Sequence, residues 1–338
     1  EFRRVLFRSL DALPAIGQTV EITATELAGK STADRAAMYA AGTRLLKVVN
    51  GDTEVLLGLD ADGSTEWLGS NKPVRNLLDN SDFTNPVNQR GATGAINTQG
   101  SYPIDRWFFD KSHAGVSAGI DANNRYFYMA NNAAVDGAWC SITHKVPAAK
   151  IAHTGKYTFV LHEKIIAPAD VLIMIDENSS PFFMQRTTFT PQNGYIAFSF
   201  EITALPTANI SFYIYASKGI TVSFDWAALY EGSYTTDTLP PYTPKGYAAE
   251  LAECQRYYQA CATLQLPIKN PDVDTNNIFQ NSVQFFETMR IAPTINAVVG
   301  NSEYGTITIV GTTKQGFHWR VTADAAESKY VFLSNWTA

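Results

Sequence analysis

The chain has 338 residues, of which 45% are hydrophobic, 12% aromatic and only 17% charged, well under the roughly 25% charged share of ordinary soluble domains. Its 26 basic and 32 acidic residues leave a net charge of −6. No basic cluster follows the first nine residues, so the electrostatic footprint of nucleic-acid binding is missing, and no apolar run reaches the roughly 20 residues needed to span a bilayer. The length allows two or three domains. Aromatic-rich, charge-poor composition favours β structure.

Residues 1–9, EFRRVLFRS, are matched codon by codon by GAG TTC AGA CGT GTG CTC TTC CGA TCT, the end of a common short-read sequencing adapter. They are set aside from the folding argument. The expectation is a chain from assembled environmental DNA, lacking its natural N-terminus and forming the end of a longer protein.

Residues 10–75 read as a connector with hairpins. TVEIT at 19–23 alternates as a strand, and STADRAAMYAA at 31–41 predicts a short helix with Ser31 or Thr32 as N-cap and Gly42 at its end. RLLKVV (44–49) and EVLLGLD (54–60) flank Asn50-Gly51-Asp52, a hairpin signal, and STEWLG follows a second turn at 60–63. Such hairpins have little core of their own and need a neighbour, expected here to be other chains of an intertwined stalk.

Residues 76–245 predict one antiparallel β-sandwich. KYTFVLHEKI (156–165), DVLIMID (170–176), GYIAFSFEI (194–202), NISFYIYAS (209–217) and ITVSFDWAALY (220–230) are strand-length and separated by turns. Period two puts Ile196, Phe198, Phe200 and Ile202 on one face, and Val222, Phe224 and Trp226 likewise. PAAKIAH (147–153) reads as a helical connector. In YPIDRW (102–107), Trp107 is expected to bury its ring while Asp105 or Arg106 satisfies backbone groups beside it.

Residues 246–262 predict an amphipathic helix after Pro240, Pro241 and Pro244. Tyr247, Leu251, Cys254, Tyr258 and Cys261 form its apolar stripe, with Glu250, Glu253, Gln255 and Arg256 facing outward. The stripe packs either on its own sandwich or on two partner chains about a threefold axis. Cys254 and Cys261, seven apart on that helix, lie about 10 Å from one another, too far for a bridge. Cys140, Cys254 and Cys261 are read as small buried hydrophobes. Residues 263–338 predict a smaller β domain: TMRIAPTINAVV (288–299), then a hairpin GTITIVG–KQG–FHWRVTAD with Phe317, Trp319 and Val321 opposite His318 and Arg320, then a closing strand YVFLSNWTA.

NLLDNSDFTNPVNQRG (76–91), the acidic–Arg–Trp step at 105–107, KGYAAELAECQRYYQ (245–259) and the Arg-x-Ala-Pro step at 290–293 together resemble the distal part of bacteriophage tail fibres and related receptor-binding tail proteins. The resemblance spans about residues 70–295. It implies a jelly roll like those of carbohydrate-binding modules, a homotrimer, joining to other tail proteins through the missing N-terminal part, and multivalent attachment to a bacterial surface glycan. It also implies a virion protein of the phage tail, assembled in the host cytoplasm. Candidate sugar contacts are Tyr126, Trp139, Tyr304, His318 and Trp336.

No catalytic residue, cofactor or metal is assigned. ATELAGKS (24–31) imitates a phosphate-binding loop but has Ala24 for its first glycine. The turns at 60–63 and at Asp272, Asp274 and Asn276 lack the full ligand set of a calcium loop. His113, His144, His153, His162 and His318 are scattered. Asp176-Glu177 precedes a turn, and no two carboxylates stand out as a glycosidase pair. The competing readings are a fibre-borne polysaccharide depolymerase and a purely structural spacer.

Overall fold

The computed structural model describes residues 17–92, 94–121, 126–163, 171–177, 180–189, 194–261, 278–299, 305–323 and 333–337. The fold is mainly β, with several antiparallel sheets, and its first two strands pair in parallel. The expected β class is therefore the observed one. The chain clusters into two compact units, each assembled from separate segments. Glu1–Leu78, Val146–Ile214 and Val222–Thr243 form the first, and Asp79–Lys145, Tyr215–Thr221 and Pro244–Ala338 the second.

The first element is β1 (Gln18–Thr23), followed by α1 (Ala24–Ala28), α2 (Thr32–Ala40), β2 (Thr43–Asn50), β3 (Thr53–Leu59) and β4 (Thr65–Ser70). Next come β5 (Ser101–Ile104), β6 (Trp107–Lys111), β7 (Val116–Asp121), β8 (Tyr126–Asn131) and β9 (Trp139–Val146). After a 3-10 turn at Ala148–Lys150, the chain forms β10 (Gly155–Glu163), β11 (Val171–Glu177), β12 (Ser180–Phe189), β13 (Tyr195–Ile202), β14 (Ile210–Ser217) and β15 (Thr221–Glu231). The last elements are α3 (Tyr247–Gln255), β16 (Ala260–Cys261), β17 (Ile278–Gln284), β18 (Asn296–Val299), β19 (Gly305–Thr312), β20 (Gly316–Ala323) and β21 (Leu333–Thr337).

In the first unit, β1 runs parallel to β2, a pairing that needs a crossover, and α1 and α2 supply it. Both helices open on capping boxes, Thr23 with Glu26 and Ser31 with Asp34, so Ser31 rather than Thr32 is the cap. ATELAGKS is thus no phosphate loop. Its amides are engaged in helix and turn, Gly29 N–H donating to Thr25 O and Lys30 N–H to Leu27 O. Gly63, at φ +83°, sits where a Cβ would lie 2.1 Å from Thr32 O. Only glycine lets the β3–β4 turn approach the start of α2. Gly51 (φ +63°) provides the left-handed step of the β2–β3 hairpin.

The neighbour that covers these hairpins is found in the same chain. Leu46, Val48, Val55, Leu57 and Leu59 are buried in one cluster with Val160, Ala228, Tyr230 and Tyr234. Asn50 Nδ2 donates to Ser233 O (3.1 Å) and Ser233 N–H to Thr53 Oγ1 (2.8 Å). The expected dependence on other chains for a core is corrected accordingly.

Within the same unit β10 pairs with both β13 and β15. Tyr157, Phe159 and Leu161 point into the core with Ile196, Phe198, Phe200 and Ile202, as the alternation predicts. One predicted face is wrong. The register of β10 against β15 skips Asp225, His162 pairing with Trp226 and Glu163 with Phe224. This bulge flips Trp226 away from Val222 and Phe224, because an extra residue reverses the pleat. Trp226 instead stacks on His162 (5.3 Å, 10°) and Tyr242 (4.3 Å, 7°).

In the second unit β6 lies between β5 and β9, and β7 pairs with β8. Near the C-terminus β20 pairs with β17 and β19, and β21 with β16 and β18. Phe317 and Trp319 are buried while His318 is exposed, so the predicted alternation of β20 is present; the Val321 side chain lies outside the described residues.

Candidate functional site

The second unit is organised around a polar hub that the sequence motifs build together. Asn80, at φ +53°, donates from Nδ2 to Val87 O (2.8 Å) and Asp105 O (2.7 Å) and accepts the Val87 N–H at Oδ1 (2.7 Å). Its carbonyl takes the Trp107 Nε1–H at 2.8 Å, and its own N–H donates to Glu250 Oε2 at 2.7 Å. Asn tolerates the left-handed backbone while its side chain closes the 80–87 turn. Trp107 is fully buried beside Phe83 (5.0 Å) and His144 (4.9 Å), as expected of its ring.

Asp105 and Arg106 form the two-residue turn between β5 and β6. The buried Asp105 carboxylate accepts from Gln89 N–H (3.0 Å), Gln89 Nε2 (2.9 Å) and Arg90 Nη1 (2.5 Å). Arg90 lies over Tyr258 (3.7 Å) and beside Tyr102 (4.4 Å). Arg106, in the left-handed region at φ +73°, is held by its side chain. It donates from Nη2 to Lys145 O (2.6 Å), pairs through Nε with Asp79 (3.4 Å) and lies 3.5 Å over the Tyr257 ring. Burial raises the pKa of both Tyr257 and Tyr258, so they stay neutral platforms for two cations.

This arrangement corrects the helix expectation. α3 ends at Gln255, not 262, and just beyond it the Tyr257 and Tyr258 rings lie against Arg106 and Arg90. Of the predicted stripe, Cys254 is buried, Leu251 is partly so, and Tyr247 is 47% exposed. Tyr258 lies beyond the helix and Cys261 in β16, opposite Trp336. Glu250, expected outside, is buried as the acceptor for Asn80 and lies 3.8 Å from Lys245 Nζ. Cys254 and Cys140 are free thiols. Burial pushes Cys140 up to about 12 and raises Cys254 as well, which keeps both unreactive.

Above the hub lies the outward face of β5, β6 and β9. Cys140, Ile142, His144 and Val146 lie on one side of β9 and Trp139, Ser141, Thr143 and Lys145 on the other; of the latter, Trp139 and Lys145 are exposed, while Ser141 and Thr143 between them are buried. Phe108 is paired with Thr143, and Asp110 with Ser141. Tyr102 meets Phe108 edge-on at 5.4 Å, and Trp139 meets Tyr215 edge-on at 5.7 Å. Tyr102, Arg106, Phe108, Thr143 and Lys145 enclose a cleft of about 100 Å³. That is well under the roughly 300–1,000 Å³ of pockets that swallow a small molecule. It admits one edge of a ring or a substituent, which suits a chain lying across the sheet.

Of the candidate sugar contacts, Trp139 is on this face and 36% exposed. Tyr126 is on β8, 3.5 Å from Asp121, and His318 is exposed on β20. Trp336 is on β21, its side chain outside the described residues, and Tyr304, Asp272, Asp274, Asn276 and residues 1–9 also lie outside them. Tyr102, Phe108 and Lys145, which line the cleft, are not among the candidates read from the sequence. The available signal was the alternation of WFFDK and WCSITHKV, each with one apolar face and one mixed face.

A second aromatic group, Tyr195, His162, Trp226 and Tyr242, occurs in the first unit, with His162 Nδ1 2.5 Å from Asp225 Oδ1. Trp226 is stacked between His162 and Tyr242, and Tyr195, Trp226 and Tyr242 pack against the hydrophobic cluster of this unit. Among the described residues no group of three or more His, Cys, Asp or Glu is placed to hold a metal, and no helix is long and apolar enough to cross a membrane.

No family model matches the chain, and no curated protein matches it. Among solved structures it is similar to TmCBM61 in complex with β-1,4-galactotriose, at 12% identity, with 46% of this chain and 97% of that chain covered and a TM-score of 0.30. It is similar to the family 11 carbohydrate-binding module from Clostridium thermocellum in complex with a β-1,3-1,4-mixed-linked tetrasaccharide, at 12% identity, 41% and 95% coverage and a TM-score of 0.27. It is also similar to the C-terminal family 22 module of Clostridium thermocellum Xyn10B, at 11% identity, 48% and 100% coverage and a TM-score of 0.29. Likeness at this level says nothing of a ligand for this chain.

Proposed function

We propose that this protein is an attachment protein that binds a glycan across the outward face of β5, β6 and β9, without chemistry on it, as the receptor-binding part of a phage tail fibre or tail tip. One observation carries the glycan reading. Tyr102 and Phe108, with Arg106, Thr143 and Lys145, line a cleft too small to enclose a molecule, and Asp110 and the exposed Trp139 lie farther along the same face. Aromatic rings supply flat apolar surface for the carbon face of a sugar, and the interleaved polar groups hydrogen-bond its hydroxyls. The tail setting rests on the motifs at 76–91, 105–107, 245–259 and 290–293. A homotrimer belongs to the same reading, since weak single sites gain avidity when presented together.

The test is a bacterial polysaccharide array probed with the whole chain. Saturable binding is expected, lost in Tyr102→Ala and Trp139→Ala variants that keep the native circular-dichroism spectrum. Binding unchanged in both variants sinks the assigned face. New reducing ends released from a bound polysaccharide would make the protein a depolymerase instead. Mass in solution should correspond to three chains; a monomer at micromolar concentration counts against the trimer.

A further inference from the structure

We infer that the glycan taken by the β5–β6–β9 face carries a carboxylate, as a uronic acid does, and that Lys145 reads it. The inference rests on the glycan-binding reading and narrows its substrate class. Three observations lead to it.

The first is the state of the cations around the cleft. Arg106 is committed to Asp79, Tyr257 and the Lys145 carbonyl, and Arg90 to Asp105. Lys145 is exposed, lines the cleft, and its ammonium has no carboxylate within ion-pair distance among the described residues. The second is placement. Lys145 follows Thr143 by two on β9, so its ammonium emerges on the face where Phe108 and Tyr102 offer their rings. A sugar lying on those rings would bring a substituent of its edge toward Lys145. Asp110, the acidic group of this face, pairs with Ser141 rather than Thr143 and so lies farther along β6 from Lys145.

The third is the charge of the whole chain. At −6 it repels an anionic polymer at long range, but that field is screened beyond about 8 Å at physiological salt. Selectivity for an acidic sugar therefore has to come from a local cation beside the ring platform. A positive charge with no ion-pair partner among the described residues is suited to this, because binding breaks none of the ion pairs described there.

The experiment uses an array of capsular and lipopolysaccharide oligosaccharides in which each uronate-bearing spot is matched with its carboxyl-reduced form. The expected result is about tenfold tighter binding to the uronate form, shrinking as salt is raised from 50 to 500 mM. The preference should disappear in Lys145→Met and persist in Lys145→Arg. Equal binding to the paired forms, or an undiminished preference in Lys145→Met, overturns the inference while the glycan reading stands. Binding to no spot of either kind overturns both.

Discussion

The backbone N–H of Asn80 donates to the carboxylate of Glu250 at 2.7 Å, with both residues buried. One bond thus joins the turn after LLDN to the first turn of α3, across 170 residues of sequence. Glu250→Ala should leave that N–H without its acceptor and lower stability by about 2 kcal/mol, since a bond to a charged acceptor is worth roughly 1.5–3 kcal/mol. Glu250→Gln, which keeps an oxygen there, should lose less than half as much. Guanidinium midpoints of the two variants decide it; equal losses would mean the charge itself, not the acceptor, is what the site requires.

Asp105 is nearly inaccessible and holds Arg90 at 2.5 Å. Removing one partner of a buried pair costs about 3–5 kcal/mol, so Asp105→Ala should be among the most destabilising single changes. Arg90→Ala on that background should add little. A double-mutant cycle reads the coupling directly, and purely additive losses would show that the two side chains do not act as a unit.

For Arg106 two effects oppose. A left-handed non-glycine residue costs roughly 1–2 kcal/mol, which Arg106→Gly relieves. The same change removes the contacts to Tyr257, Asp79 and Lys145 O, and the larger cost of breaking a buried pair wins. Arg106→Gly should therefore melt lower than the wild type. A higher melting temperature would mean that backbone strain outweighs the side-chain contacts.

Cysteine labelling offers a sharp contrast. Burial pushes Cys140 up to about 12 and moves Cys254 in the same direction. At pH 8 both should resist iodoacetamide in the native protein and label fully in denaturant, as read by peptide mass mapping. Rapid native labelling of Cys140 would contradict its burial under the β9 face.

The capping boxes of α1 and α2 tie stability to acid pH. Glu26 and Asp34 have lowered pKa values, held down chiefly by hydrogen bonds from Thr23 and Ser31. A depressed folded pKa contributes stability that is present above the unfolded values of 4.5 and 3.8 and is lost as pH falls through the folded ones. Glu26→Gln with Asp34→Asn should therefore lower the melting temperature at pH 7, and the gap should close below pH 4. A gap that persists at pH 2.5 would show that the carboxylate charge is not what caps these helices.

Much of the architecture was legible in the sequence because it is written in local chemistry. Period-two alternation marked β10, β11, β13, β14 and β15, Asn50-Gly51-Asp52 marked the first hairpin, and Ser31 marked the start of α2. These signals depend on one segment's own backbone preferences and on which face is apolar. Tertiary structure decided the rest. The bulge at Asp225 turned Trp226 to the other face, which follows from the register of β10 and β15 and leaves no trace in β15 alone. Glu250 is buried where a backbone donor 170 residues away meets it, and Tyr257 and Tyr258, beyond the end of α3 at Gln255, lie against Arg106 and Arg90. The candidate site belongs to that second class. Tyr102, Phe108, Trp139 and Lys145 become one surface only when strands pair, since cross-strand neighbours are set by register and not by sequence distance.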